Sequence, residues 1–538
     1  MQTSKVFRDT TTQRQIDNFI VTAAQMRQIE ERIFAQGMPA PALMEKVAGL
    51  ITQRLRHLLD TRYPHVQKIG VLVGPGHNGG DALVVARELY FQGYDLILYQ
   101  PLARLKELTG NHAQYAYSLG IPKVDQISAL AECDLIVDGL FGFGLEREIT
   151  GIIADAINTI NQWQKPIISI DIPSGIHTDT GEVLGTAIQA THTFCLGLWK
   201  LAFIQDQALA FLGVPELIDF GIPVSDILAI LEENPKIQRI TSTTAIRYLP
   251  LPRHPVSHKY KNGHLLLIAG SQRYSGAAIL AGLGARAAGV GMLSIAVPES
   301  LKLMLTAQLP EALIIGCPET DHGAIHQLPV ETDLSRYDAI ACGPGLTLDA
   351  AAVVETALES SCVLVLDADG LNVLSHLGSV SMLANRATTV ITPHPGEFKR
   401  LFPQLSEEKN RVLAVEKASE ISGAIVVFKG ARVVIGQSQD QTGTKIWVNP
   451  ESTPALARGG SGDVLTGLMG GLLAGSSGSE QIGAVQTAVW WHAQAGMLAA
   501  QECTELGVDA FTLTQYLVPG LKNCLDKSRG INQVSFDI

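Results

Sequence analysis

Residues 69–82 read Ile69-Gly-Val-Leu-Val73 followed by Gly74-Pro-Gly-His-Asn-Gly-Gly-Asp-Ala82. A short apolar run enters a glycine loop, and a helix-periodic stretch, Ala82 to Gln92, leaves it. Strand, glycine turn and helix in that order open a βαβ unit. Gly74, Gly76 and Gly79 fit the spacing G-x-G-x-x-G. A dinucleotide fingerprint also wants an acid at the end of the second strand. Here that strand ends Leu98-Tyr99-Gln100-Pro101, which disfavours a plain NAD-dependent dehydrogenase. The loop still offers backbone N–H groups at a helix start, a setting suited to phosphate. Asn78 and Asp81 add oxygen atoms to it. A tight turn capped by Asp81 would use the same residues.

Outward from the loop, the pattern repeats. Residues 21–60 have helical periodicity broken at Gly37 and Pro39. Strand-like runs follow at Leu96–Tyr99, Leu135–Val137, Ile167–Ile170 and Thr193–Leu196. Such runs between helical segments predict a doubly wound parallel sheet. From Val224 to Pro250 the chain turns polar and lacks strand signals, which sets a boundary near residue 235. The pattern then restarts at His264–Ala269, Leu293–Val297, Ala339–Cys342, Val363–Asp367, Thr389–Ile391 and Ile425–Phe428. The expectation is two α/β domains, 1–235 and 236–538.

Composition narrows the function. The net charge is 40 − 52 = −12, and no basic face is apparent, so nucleic acid is an unexpected partner. The seven cysteines are scattered with no C-x-x-C pair, which points to a reducing compartment and away from disulfides or a zinc ribbon. No apolar run approaches the roughly 18–20 residues that span a bilayer. The polar start, MQTSKVFRDTTTQRQ, has no apolar core of a secretory signal. A cytoplasmic protein without a membrane partner is expected.

Polar residues cluster at strand ends. Asp138 follows Leu135–Val137, and Asp171 with Ser174 follows Ile167–Ile170. In a doubly wound sheet these residues and Asn78 would converge on one crevice. Hard oxygens without His or Cys suit an alkali or alkaline-earth cation better than zinc. In the second half, Leu456-Ala-Arg-Gly-Gly-Ser-Gly-Asp463 precedes a helix-like run. Its N–H groups form an anion hole, and Asp463 at the mouth is placed to take a proton from a hydroxyl during phosphoryl transfer. No G-x-x-x-x-G-K-[ST] occurs. Lys429, after strand 425–428, is a candidate phosphate partner, and His394 sits between two prolines.

The first-half motifs VTAAQMRQIE, GMPAPALMEKVAG, GPGHNGGDALVVAR, DLIVDGLFGFG, SIDIPSGI and THTFCLGLWK resemble the epimerase domain of bifunctional NAD(P)H-hydrate repair enzymes. The second-half motifs HKYKNGHLLLIAGSQRYSGAAILAGLGARAAGVGML, ACGPGL, LDADGLNVL, ITPHPGEFKRL, VVFKGARVVI and ALARGGSGDVLTGLMGGLLA resemble the dehydratase domain of the same enzymes. The resemblance implies a Rossmann-like first domain that interconverts the R and S hydrates, and a ribokinase-like second domain that dehydrates the S form. It implies NADHX and NADPHX as substrates and ADP (or ATP) with Mg2+ as co-substrate; a homo-oligomer is expected. It also implies K+ at Asn78, Asp138 and Ser174. Asp171, at a strand end, and Asp463, at the helix start, are the expected catalytic groups.

Hydrate contacts carried over in the first domain are His77, Asn78, Gly79, Gly80 and Asp81, then Gly142, Phe143, Gly144, Leu145, Glu146, Arg147 and Glu148, and Asp171. In the second they are Ala277, Gly345, His394 and Asp463. Nucleotide contacts are Lys429, Gly430, Ala431, Arg432 and Val433, with Gly462. The chain departs from the family pattern at His77, Ala82 and Thr347, the last two standing where the family has glycine. Two other readings compete. One is a small-metabolite kinase of the hydroxymethylpyrimidine or thiazole type, and the other a non-catalytic nucleotide sensor or lipid-carrier-binding module.

Overall fold

A computed structural model describes residues 16–378, 380–439 and 443–533. The polar start at residues 1–15, read as carrying no secretory signal, lies outside the described residues. The chain divides into two compact units, Met1–Ile237 and Gln238–Ile538. Among the described residues, no helix is long and apolar enough to cross a membrane.

The first unit holds a seven-stranded sheet, parallel throughout. Its strands, in spatial order, are Lys123–Val124, Asp95–Tyr99, Lys68–Val73, Leu135–Gly139, Ile167–Ile170, His192–Leu196 and Val214–Ile218. Strand order reverses between Lys68–Val73 and Leu135–Gly139, so a crevice opens at their carboxyl ends. Alternation along the strands feeds two cores. Val71, Val73, Leu135 and Val137 pack with Leu83 and Ala86 on one face. Leu72 and Ile136 pack with Ile153, Ile157 and Ile160 on the other.

The helix after the glycine loop starts earlier than its hydrophobic pattern indicated. It spans His77–Phe91, with Gly76 as N-cap. Asp81 is therefore a buried residue inside the helix and not a cap. The glycines are there for backbone contact. A Cβ on Gly74 would fall 1.7 Å from the Leu140 carbonyl oxygen, and one on Gly79 would fall 2.0 Å from that of Gly74. Ala82 is tolerated because its methyl occupies the space over Gly139, where a second Cβ would come within 2.3 Å.

The second unit holds ten strands. Seven run parallel, ordered Ile425–Phe428, Thr389–Ile391, Val363–Leu366, Ala339–Cys342, His264–Ile268, Met292–Pro298 and Leu313–Cys317. Order reverses between His264–Ile268 and Ala339–Cys342. An antiparallel hairpin, Val433–Gln439 with Gly443–Asn449, extends one edge. The outermost strand, Ile237–Arg239, lies in the stretch that lacked strand signals, as do helices Val224–Leu231 and Ser242–Arg247. Three residues at an edge need no apolar periodicity, which is why the pattern missed this strand.

Helices Ser275–Ala288 and Ser461–Ala474 pack with their backbones nearly touching. A Cβ on Gly284 would lie 2.2 Å from the Val464 carbonyl oxygen, and one on Gly467 would lie 1.7 Å from that of Ala281. Gly467→Ala should therefore push the helices apart and destabilise the chain by about 1–3 kcal/mol, as overpacking does. Urea unfolding measures this, and an unchanged midpoint would refute the tight contact.

Candidate active sites

In the first unit, the carboxyl ends of the strands open into a cleft of about 710 Å3. Pro75, Gly76, His77, Asn78 and Asp81 from the glycine segment line it, with Gly142 to Arg147, Asp171 and Lys200. Gly79, Gly80 and Glu148 are not among its lining residues. The oxygens of Asn78 and Asp171 meet over Gly142. A Cβ there would lie 2.9 Å from Asp171 Oδ2 and 3.4 Å from Asn78 Oδ1. A side chain at 142 would therefore crowd both oxygens.

Asp171 is buried and held at φ +71, in the left-handed region. For a non-glycine residue this conformation is strained, and such strain concentrates at functional sites. Both carboxylate oxygens accept hydrogen bonds: Oδ1 from the Lys200 ammonium at 2.6 Å and Oδ2 from the Phe143 N–H at 2.8 Å. Lys200 is fully buried and also donates to the Leu196 carbonyl. Burial opposes its charge, but Asp171 and neighbouring groups hold its pKa above the ordinary value.

Asp138 lies fully buried. Its Oδ1 accepts from the Leu140 N–H, and its Oδ2 accepts from the Ser169 hydroxyl and the Ser174 N–H, at 2.8–3.2 Å. Ser174 Oγ approaches Oδ1 at 2.6 Å. Asn78 Nδ2 is buried without a hydrogen-bond partner. Burial pushes the Asp138 carboxyl up, and these hydrogen bonds pull it back. The donors are hard oxygens with one carboxylate among them, a set that suits an alkali or alkaline-earth cation better than zinc.

In the second unit, helix Ser461–Ala474 begins at Gly460, whose φ of +90 suits glycine. Asp463 sits in its first turn. Burial pushes its carboxyl up to about 7, and the charge of Asp367 adds to this while Lys429 opposes it. Asp367 follows strand Val363–Leu366 and bonds Lys429 Nζ at 2.6 Å and the Thr466 hydroxyl at 2.7 Å. Lys429 Nζ is also 3.9 Å from Glu397. A Cβ on Gly462 would come 3.4 Å from Lys429 Nζ and 3.6 Å from Asp367 Oδ2, so these groups form one cluster.

His394 is the N-cap of helix Pro395–Leu401. Its Nδ1 accepts from the Gly396 N–H at 2.9 Å, while Glu397 accepts from the His394 N–H at 2.8 Å. Nδ1 is thereby the acceptor, which leaves the proton on Nε2. Burial first, then Lys429 and Arg400, hold the ring pKa below its ordinary value. Ala277 and Gly345 meet where strand order reverses. A Cβ on Gly345 would fall 2.8 Å from that of Ala277. Thr347, standing where a glycine was expected, keeps a glycine-like φ of +69, and its N–H is held by Asp369 at 3.0 Å.

Residues 265–519 match the family described as NAD(P)H-hydrate dehydratase, and residues 40–202 match the YjeF-related protein N-terminus. The bifunctional NAD(P)H-hydrate repair enzyme Nnr of Synechocystis sp. is 54% identical, over 94% of this chain and 95% of that protein. The chain belongs to the bifunctional NAD(P)H-hydrate repair enzyme family. The enzyme of the same name from Thermosynechococcus vestitus is 50% identical over 94% of this chain and 98% of that protein. A solved ADP/ATP-dependent NAD(P)H-hydrate dehydratase from Bacillus subtilis, co-crystallised with ATP/Mg2+, is 32% identical, covers 53% of this chain and 97% of that one, and has a TM-score of 0.44.

Sequence reasoning passed over three groups in this repair-family chain. Lys200 closes the motif THTFCLGLWK, and a lysine ahead of the apolar Leu201-Ala-Phe-Ile204 was the available signal. Arg411 is buried and donates to the carbonyls of Phe428, Lys429 and Arg432, so it shapes the turn that carries Lys429, Gly430, Ala431 and Arg432 into strand Val433–Gln439. Glu30, on helix Ala23–Ala35, lines the first cleft. Breaking a buried ion pair leaves an uncompensated charge. Lys200→Met should destabilise the chain by about 3–5 kcal/mol. Denaturant unfolding is the measurement, and a loss below about 1 kcal/mol would place the pair in solvent.

Proposed function

We propose that this chain repairs hydrated NADH and NADPH in two steps: the first unit equilibrates the R and S hydrates, and the second dehydrates the S form using ADP. Asp463 carries the second half of the reading. It is a carboxylate with a raised pKa at the mouth of a glycine-started helix, beside Lys429. A base needs a pKa near the working pH, and a helix start neutralises phosphate. Asp463 removes the proton of the ring hydroxyl, whose oxygen attacks the terminal phosphorus of ADP. AMP departs, and the phosphorylated carbon then loses phosphate as a neighbouring carbon loses a proton, restoring the dihydropyridine.

Arg411 and Asp367 act by positioning Lys429 behind the helix start. Mg2+ is bound chiefly through substrate phosphates with few protein ligands. In the first unit, Asn78, Asp138 and Ser174 would hold K+, which supplies positive charge beside the glycine segment for the substrate's phosphates. Asp171 exchanges a proton at the hydrated carbon, and Lys200 with the Phe143 N–H fixes its orientation.

The test is recovery of reduced-nicotinamide absorbance from hydrated NADH and ADP. Asp463→Asn should abolish recovery while ADP binding persists. The unmutated rate should fall as pH drops through about 7, because a protonated Asp463 cannot act as base. Near-normal turnover in the variant would make Asp463 a mere helix-end residue.

For Asp171→Asn, chromatography of a mixed R/S sample with ADP should show the S hydrate consumed and the R hydrate left behind. A loss of about 10²–10⁴ in epimerisation rate is expected for removal of an acid/base group. Disappearance of R at the unmutated rate would exclude Asp171.

A further inference from the structure

Besides Asp171, the first cleft is lined by Glu30, Glu31, Asp81 and Glu146, carboxylic acids for which the scheme above has no use. On helix Ala23–Ala35, Ala23, Met26 and Ile29 are buried, whereas Arg27, Glu30, Glu31 and Phe34 line the cleft. Glu30 is half-buried, and among the described residues no hydrogen bond or ion pair engages its carboxyl. Asp171 is the opposite case, since both of its oxygens already accept hydrogen bonds. Asp171 is thus arranged to receive a proton and Glu30 to give one. Of the acids in this cleft, these two have opposite surroundings, and such a contrast divides acid and base roles.

We propose that Glu30 is the proton donor of the epimerisation, acting on the ring hydroxyl, with Asp171 as the acceptor across the ring. This rests on the epimerase reading of the first unit. The hydrated ring bears its hydroxyl on the carbon next to the ring nitrogen. Glu30 transfers its proton to that hydroxyl. The C–O bond breaks, its electron pair leaves on oxygen as water, and the nitrogen lone pair forms a C=N bond. Water then adds to the same carbon from the opposite face. Its oxygen supplies the pair of the new C–O bond, the C=N pair returns to nitrogen, and the released proton goes to Asp171. One water leaves, one enters, and nothing is oxidised or reduced. Solvent returns the proton from Asp171 to Glu30.

The surroundings suit a donor. Burial pushes the Glu30 carboxyl up to about 7, Lys200 and Arg27 oppose this, and Asp171 reinforces it. Asp81 also faces the group and is itself pushed well up, by burial and then by Asp171 and Glu30. The R-to-S rate should therefore fall as pH rises through about 7, when Glu30 loses its proton.

Three variants of the full chain test this: Glu30→Gln, Glu30→Asp and Asp81→Asn, with R-hydrate, ADP and 18O-labelled water. Glu30→Gln should lower the epimerisation kcat by about 10²–10⁴ with KM little changed. It should also lose the high-pH fall in rate. Glu30→Asp should restore part of the rate and the pH dependence. With the unmutated chain and ADP left out so that no hydrate is dehydrated, one labelled oxygen should enter the hydrate per epimerisation, measured by mass spectrometry. An unchanged kcat or a retained high-pH fall in Glu30→Gln would overturn the proposal. So would epimerisation without label, or loss of the high-pH fall in Asp81→Asn alone. Failure of the unmutated chain to epimerise at all would refute the epimerase reading itself, a result distinct from any of these.

Discussion

Where strand order reverses in a parallel sheet, the two neighbouring strands send their connections to opposite faces, and their carboxyl ends cannot both be covered. Each unit of this chain depends on one such opening. In the first it lies between Lys68–Val73 and Leu135–Gly139, in the second between His264–Ile268 and Ala339–Cys342. Loops leaving those strands must pass within backbone contact of one another. That explains why Gly74 faces the Leu140 carbonyl and why the Gly270 N–H bonds the Pro344 carbonyl at 2.8 Å.

The crevices set the electrostatics. Charges placed there are removed from water and need partners or altered protonation. Asp171 resolves this by pairing with Lys200, and Asp367 by pairing with Lys429 and Thr466. Among the described residues Asp463 and Glu30 have no such partner, and burial raises both to about 7. Pairing keeps Asp171 and Asp367 oriented, while burial without a partner brings Asp463 and Glu30 to titrate near neutral pH.

The same economy of contacts shapes the second site. His394 orients its ring by capping a helix, Glu397 completes the cap, and that carboxylate also approaches Lys429. Arg411 stacks its guanidinium 4.0 Å from the Phe428 ring centroid while gathering the carbonyls of the following turn. A single turn thereby links sheet end, lysine and helix start.

Much of this was legible in the residues themselves. Apolar runs marked the parallel strands, because a strand buried on both faces needs side chains of one kind throughout. Glycine spacing marked the loops, because only glycine allows the backbone contacts at 74, 79 and 284. Asp138, Asp171 and Asp463 were visible as carboxylates at strand or helix ends. Other features depended on distant partners and were decided by tertiary structure. The start of helix His77–Phe91 is set by Gly76 and the contact with Leu140, not by hydrophobic period. Strand Ile237–Arg239 exists because the edge hairpin accepts it. Lys200, Glu30 and Arg411 look ordinary in the chain. Their roles arise because folding brings each beside a carboxylate, a cleft or a carbonyl cluster remote in sequence, and burial then makes those few contacts decide charge and proton position.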